Sequence, residues 1–382
     1  MKLVAAAFLA LALATPVAAQ GLPSSVSEPY RAYQTAMEAG DEAAALEPAY
    51  RAWQAAEDAG LDAETTGLLA DNYAALASAA GQHAQAAAAF ARSAEILADT
   101  EGGTLLTAQT WRLAAQSAFR ADDERSSRRY FDRAEAIVGR LPRGVERARE
   151  AFQLKAFEAY REYERGRTEQ AGLRALEALE ALRPAGAVIS PDVANMAFFA
   201  GLRASMEYDY REAAYHFAIA GAIFRDAVED ERTLLVANAW AEYARNNLDE
   251  RDERRLNEDL ADSGYSFGGC VADVSCGPGV RFVNSFPEAR EVVDATFLSG
   301  SPPAFPPDME AAEVEGIAFL RWSVSEAGEV TDLEVLYSVP HSRFGEVSRE
   351  AVSRWQYRPA TADGIPVVRE GVVTQFVFVF DD

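Results

Sequence analysis

The sequence predicts a multidomain α+β protein: a long region of paired helices, then a small three-stranded antiparallel sheet with one helix laid on it. Three observations predict it. From Ser24 to Leu260 the chain is rich in alanine, leucine, arginine and glutamate, which are good helix formers, and nothing there alternates like a strand. From Ser301 onward, runs of β-formers alternate with polar residues around a glycine turn. Between the two lies a segment of different character, with Gly264, Gly268, Gly269, Gly277 and Gly279 followed by a proline cluster.

Length and charge bound the function. The 382 residues are long enough for about two or three domains, and an apolar fraction of 49% is that of a globular chain. The net charge of −24 repels phosphate, which argues against nucleic-acid partners and against docking to anionic lipid by a basic patch.

Residues 1–19 read as an export signal. Lys2 supplies the charged start, Leu3 to Ala14 an apolar run, and Pro16 precedes the small residues Val17-Ala18-Ala19. The run is shorter than the ~20 residues that span a bilayer. Cleavage after Ala19 would give a periplasmic protein beginning at Gln20 with no membrane span; an uncleaved inner-membrane anchor is the alternative.

In the helical region, 24–260, one frame recurs: a small or turn residue, a small residue five later, an apolar one nine later and another small one twelve later. Gly40, Ala45, Ala49 and Ala52 fit it, as do Gly81, Ala86 and Phe90 (with Ser93 and Ala94 beyond), Gly166, Ala171, Ala175 and Ala178, and Tyr208, Ala213, Phe217 and Ala220. Asp122, Ser127, Phe131 and Ala134 fit more loosely. The frame resembles a degenerate tetratricopeptide array of about five helix pairs, although its spacing of roughly 41 to 44 residues exceeds the standard ~34. A plain helical bundle is the alternative. Stacked pairs form a solenoid whose concave face commonly binds polypeptide. Tyr30, Tyr33, Trp53, Tyr73 and Trp111 either line such a face or belong to the core. The charge run Asp249 to Arg255 reads as a solvated helix face.

The connector, 261–301, holds the two cysteines, Cys270 and Cys276. Two thiols alone are too few for structural zinc. A local disulfide is the reading for an oxidising compartment, with free thiols as the alternative. Val280 to Phe286 suggests a short strand and Pro287 to Phe297 a short helix.

The tail, 302–382, opens with Pro302, Pro303, Pro306 and Pro307 around Phe305. Glu315 to Val324 and Val330 to Leu336 alternate on either side of Ala327-Gly328, which predicts a hairpin. Phe344, Val347, Ala351, Val352 and Trp355 recur at helical spacing, Arg358-Pro359 ends that helix, and Asp363-Gly364-Ile365-Pro366 turns into a last strand over Val372 to Phe380.

These landmarks carry a resemblance. The order Phe305-Pro306, Glu315-Gly316, Ala327-Gly328-Glu329-Val330, Phe344, Arg354-Trp355-Gln356-Tyr357-Arg358-Pro359-Ala360, Asp363-Gly364-Ile365-Pro366 and Phe376-Val377-Phe378 resembles the C-terminal domain of the TonB family. The resemblance implies TonB-dependent transport across the cell envelope, with an outer-membrane receptor as protein partner. It also implies that the last strand, Val372, Val373, Thr374, Gln375, Phe376, Val377 and Phe378, captures an extended receptor peptide by strand addition. Pairing of that edge with a second copy, giving a homodimer, is the alternative. In the family, force reaches this domain from an inner-membrane proton-channel motor of the ExbB/ExbD type through an N-terminal membrane helix and a long Pro-rich spacer. Neither feature is read in this sequence, which leaves a non-transducing adaptor, binding partners through its helical repeats, as the second hypothesis.

No G-x-S-x-G elbow, phosphate loop or H-E-x-x-H pair is present, so no enzyme activity, cofactor or metal is expected. The three histidines, His83, His216 and His341, are scattered.

Overall fold

The computed structural model describes residues 22–101, 103–227, 231–265 and 288–380. The export signal, both cysteines and the strand suggested at Val280–Phe286 lie outside the described residues. The chain divides into two compact units between Leu154 and Lys155.

The first unit is helical: α1 (Ser24–Glu38), α2 (Glu42–Asp58), α3 (Ala63–Ala79), α4 (His83–Glu101), α5 (Leu105–Arg120), α6 (Glu124–Arg140) and the first half of α7 (Val145–Glu164). Side-chain caps start several of them: Asp41, Asp62, Thr104 and Asp123 each accept from the backbone N–H three residues on, at Ala44, Thr65, Thr107 and Ser126. From α1 to α6, consecutive helices pack along one another. Of the two readings of the helical aromatics, the core holds for four: Tyr30, Trp53, Tyr73 and Trp111 are buried, with Trp53 stacked on Tyr73 at 5.6 Å and Trp111 on Tyr130 at 5.4 Å. An ion pair is buried here too, Arg112 Nε to Glu150 Oε1 at 2.7 Å.

The second unit continues α7 and adds α8 (Thr168–Leu182), α9 (Pro191–Met206), α10 (Tyr210–Ala227), α11 (Glu231–Asn246) and α12 (Glu250–Asp262). The described helices thus form six successive pairs, one more than the sequence frame reveals. In the five pairs that carry the frame, its first residue is the turn between the two helices. Gly40, Gly81, Asp122, Gly166 and Tyr208 all have positive φ, between 57° and 75°. The small residue five positions on (Ala45, Ala86, Ser127, Ala171, Ala213) has no exposed surface in any pair, so the frame records a left-handed turn followed by close helix approach.

The rest of the unit is β1 (Val292–Val293), β2 (Thr296–Ser299), α13 (Pro307–Ala311), β3 (Gly316–Val324), β4 (Val330–Val339), α14 (Ser342–Val352), β5 (Gln356–Arg358), β6 (Ala360–Ala362), β7 (Ile365–Val367) and β8 (Arg369–Phe378). The main sheet runs β4-β3-β8, all antiparallel.

Two expectations fail. The helix expected over Pro287–Phe297 is instead the strands β1 and β2, paired with β6 and β5. Val292, Val293, Thr296 and Phe297 are β-formers, and Asp294 between them accepts from the Ala295 N–H and from Arg369 Nε. The tail helix also stops at Val352 rather than at Pro359. Trp355 leaves it, packs edge-on against Trp322 at 5.9 Å and donates to the Ser301 carbonyl at 2.9 Å, and the next residues form β5.

A candidate peptide-binding edge

β3 is the central strand and it is buried on both faces. Successive side chains of a strand point to opposite faces, so Ala318, Leu320, Trp322 and Val324 form one set. They pack with Phe344 and Val352 of α14, with Tyr357 and with Phe378. Phe319, on the other face, stacks on Trp240 of α11 with ring centroids 4.9 Å apart and an interplanar angle of 24°.

The neighbouring strand β4 adds Tyr337 to this second face. Its ring lies edge-on to Phe198 of α9 at 5.3 Å and to Trp240 at 5.1 Å. Its hydroxyl is 3.0 Å from that of Tyr163 on α7. Burial, together with the neighbouring Tyr163 phenol, holds Tyr337 well above the ordinary tyrosine range, and burial pushes Tyr163 up to about 12; both stay protonated and share a hydrogen bond. Helices α7, α9 and α11 are the first members of three successive pairs. In this unit the chain's own sheet covers the side of the helix pairs that α7, α9 and α11 present to it.

β8 lies at the sheet margin. It pairs with β3 from Gly316↔Phe378 through Ala318↔Phe376, Leu320↔Thr374 and Trp322↔Val372 to Val324↔Arg369. Among the described residues no strand pairs with its other side. All seven sequence-proposed residues, Val372 to Phe378, fall on this strand. Val372, Phe376 and Phe378 join the α14 core. Gln375 is buried on the helix side, its amide Nε2 donating to the Ser205 carbonyl near the end of α9 at 3.2 Å. Val373, Thr374 and Val377 are half-buried.

Tyr243 of α11 completes the margin. Its ring is edge-on to Phe319 at 5.7 Å and to Tyr210 at 6.1 Å. Burial, helped by the neighbouring Tyr210 phenol, pushes its hydroxyl up to about 12. Sequence reasoning missed Tyr243, Trp240, Phe319 and Tyr337. The one available signal was the unbroken apolar run Ile317-Ala318-Phe319-Leu320, which reads as a strand buried on both faces.

The model of the family described as Gram-negative bacterial TonB protein C-terminal matches residues 301–380. Residues 301–380 are a TonB C-terminal domain. Protein TonB of Pseudomonas aeruginosa is 30% identical over 73 residues, which is 19% of this chain and 21% of that protein. The chain therefore spans about a fifth of the length of this curated relative. A solution NMR structure of the P. aeruginosa TonB C-terminal domain is 28% identical, covers 23% of this chain and 89% of that one, and superposes with a TM-score of 0.22. The helix pairs that precede the TonB domain lie outside the matched residues. Among the described residues no helix is long and apolar enough to cross a membrane.

Proposed function

We propose that this is a periplasmic protein of TonB-dependent transport, exported by a cleaved signal at residues 1–19. In this reading the β8 edge of its TonB domain captures an extended segment of an outer-membrane receptor by strand addition. The observation that carries it is that, among the described residues, β8 is hydrogen-bonded to a strand on one side only. An edge strand offers a row of main-chain N–H and C=O groups to any extended peptide that lies beside it. In an antiparallel ladder, alternate residues turn both groups to the same side. Every second residue of β8 therefore presents its N–H and C=O to the free side, and the residues between present theirs to β3.

An adaptor role through the helix pairs is less well supported, because α7, α9 and α11 are already covered by the sheet. Val373→Pro and Thr374→Pro each delete one main-chain N–H without replacing Gln375, and because alternate residues face the free side one of the two removes an outward donor. Titration of the full chain with a receptor-plug peptide, followed by calorimetry, should show affinity falling about tenfold in that variant, the worth of roughly one main-chain hydrogen bond with its desolvation. Equal affinity for wild type and both variants, with all three folded by circular dichroism, would rule strand addition out.

A further inference from the structure

Helix α9 crosses the sheet almost square to its strands. Phe198, midway along it, lies edge-on to Tyr337 of β4 at 5.3 Å, and the carbonyl of Ser205 near its end accepts from the Gln375 side chain of β8 at 3.2 Å. The helix rises ~10 Å from the first residue to the second, which matches the ~10 Å from β4 across β3 to β8. The chain that follows Ser205 therefore runs out past the margin of β8, on the side of the sheet that faces the helix pairs. A second hydrogen bond fixes it there: the same Ser205 carbonyl accepts from the main-chain N–H of Tyr208 at 3.2 Å. One acceptor thus joins the β8 edge to the α9–α10 turn.

Tyrosine is an unusual residue for that turn. Tyr208 has φ 57°, where the corresponding turns of three other pairs use Gly40, Gly81 and Gly166. Glycine is favoured there because a Cβ crowds the backbone in the left-handed region. Burial does not offset the strain, since Tyr208 is 56% exposed, and strain of this kind gathers at functional positions. Its ring begins a row instead: Tyr208 is edge-on to Tyr210 at 6.3 Å, Tyr210 to Tyr243 at 6.1 Å, and Tyr243 to Phe319 at 5.7 Å. Phe319 stands directly opposite Gln375, so the row leads from the helix-facing side of the sheet to the turn. Residues opposite one another on adjacent strands share a face. A strand added to β8 therefore sets alternate side chains on the side of these rings.

We infer that Tyr208 and Tyr210 form a recognition platform for the strand that pairs with β8, and that the side chain it takes is an arginine or lysine. A tyrosine face attracts a cation held within ~6 Å of its ring. The charge around it agrees, because exposed Glu207 and Asp209 flank Tyr208. Glu207 is paired with Arg203. Asp209 caps α10, accepting from the Glu212 N–H at 3.1 Å, and among the described residues forms no ion pair with arginine or lysine. The inference rests on the strand-addition reading and deepens it: the TonB domain supplies the main-chain pairing, and the helix pairs supply the preference for a basic side chain.

The test uses the full chain and Tyr208→Gly, which deletes the ring and keeps the turn conformation that Gly40, Gly81 and Gly166 adopt. Circular dichroism of the variant should match wild type. A receptor-plug peptide carries arginine or alanine at each position in turn, and calorimetry reads the affinities. On wild type, arginine at one helix-facing position should bind about two- to fivefold more tightly than alanine, with no such gain at the positions on either side of it. In Tyr208→Gly that gain should be lost. Binding to wild type without a gain at any position, or the same gain in the variant, would overturn the platform and leave strand addition standing. If no peptide binds, strand addition fails and the platform falls with it.

Discussion

The docking of the TonB domain on the helix pairs should be measurable as a coupling between Phe319 and Trp240. Both side chains have no exposed surface. Truncation of a buried Phe or Trp to Ala costs ~3–5 kcal/mol. The single substitutions do not isolate docking, because Trp240 also stacks within its own helical layer on Phe217, at 5.0 Å and nearly coplanar. A double-mutant cycle does. Once one ring of the 4.9 Å Phe319–Trp240 stack is gone, the other faces a void and has less to lose. The pair itself contributes ~0.5–1.5 kcal/mol beyond area burial. Phe319→Ala and Trp240→Ala together should therefore cost about 1–2 kcal/mol less than the sum of the two. Urea unfolding of the four chains reads this directly. Additivity to within ~0.5 kcal/mol would mean that the sheet does not rest on α11, and the covered-face account would be wrong.

Three further outcomes follow from local geometry. A Cβ on Gly316 would overlap the Phe344 ring and the Val339 carbonyl, so Gly316→Ala should lower stability by ~1–3 kcal/mol in chemical denaturation, whereas alanine at Gly364, where a Cβ meets nothing, should cost only the backbone strain of its positive φ. Glu150→Ala strands the Arg112 guanidinium in the first unit, and thermal unfolding should report a loss of ~3–5 kcal/mol. His216 is buried beside Glu212, and desolvation holds its imidazole down to about 4, opposed by Asp209. The unfolded chain takes up this proton below ~6.5 and the fold only below about 4, so stability is complete above ~6.5 and is lost as pH falls through that window. At ~1.4 kcal/mol per pH unit the loss approaches ~3 kcal/mol; His216→Leu should flatten the profile, and an unchanged slope would show that the imidazole is not shielded.

What was legible in the sequence was whatever the backbone dictates locally. Gly40, Gly81 and Gly166 announce left-handed turns, and the buried small residues behind them announce helix approach, so five pairs could be counted. The sixth was silent because α12 buries little beyond Leu256 and Leu260 and carries no such frame. The hairpin around Gly328 and the last strand were readable from alternation, since each is specified by neighbours in sequence. Trp355 misled, because helical spacing counts a ring that in fact leaves the helix to bond Ser301. The covered second face joins α7, α9 and α11 to strands far downstream. No periodicity within one segment encodes such a match; a tyrosine on an amphipathic helix looks the same whether it meets water, core or a strand edge.

Residue-resolved amide exchange of β8 in the full chain, with and without saturating receptor-plug peptide, tests the central claim most directly. Added pairing on the free side should slow exchange at alternate residues along Val372 to Phe378 and leave the residues between them, already hydrogen-bonded to β3, nearly unchanged. Protection that is absent, or that falls elsewhere on the chain, would contradict it.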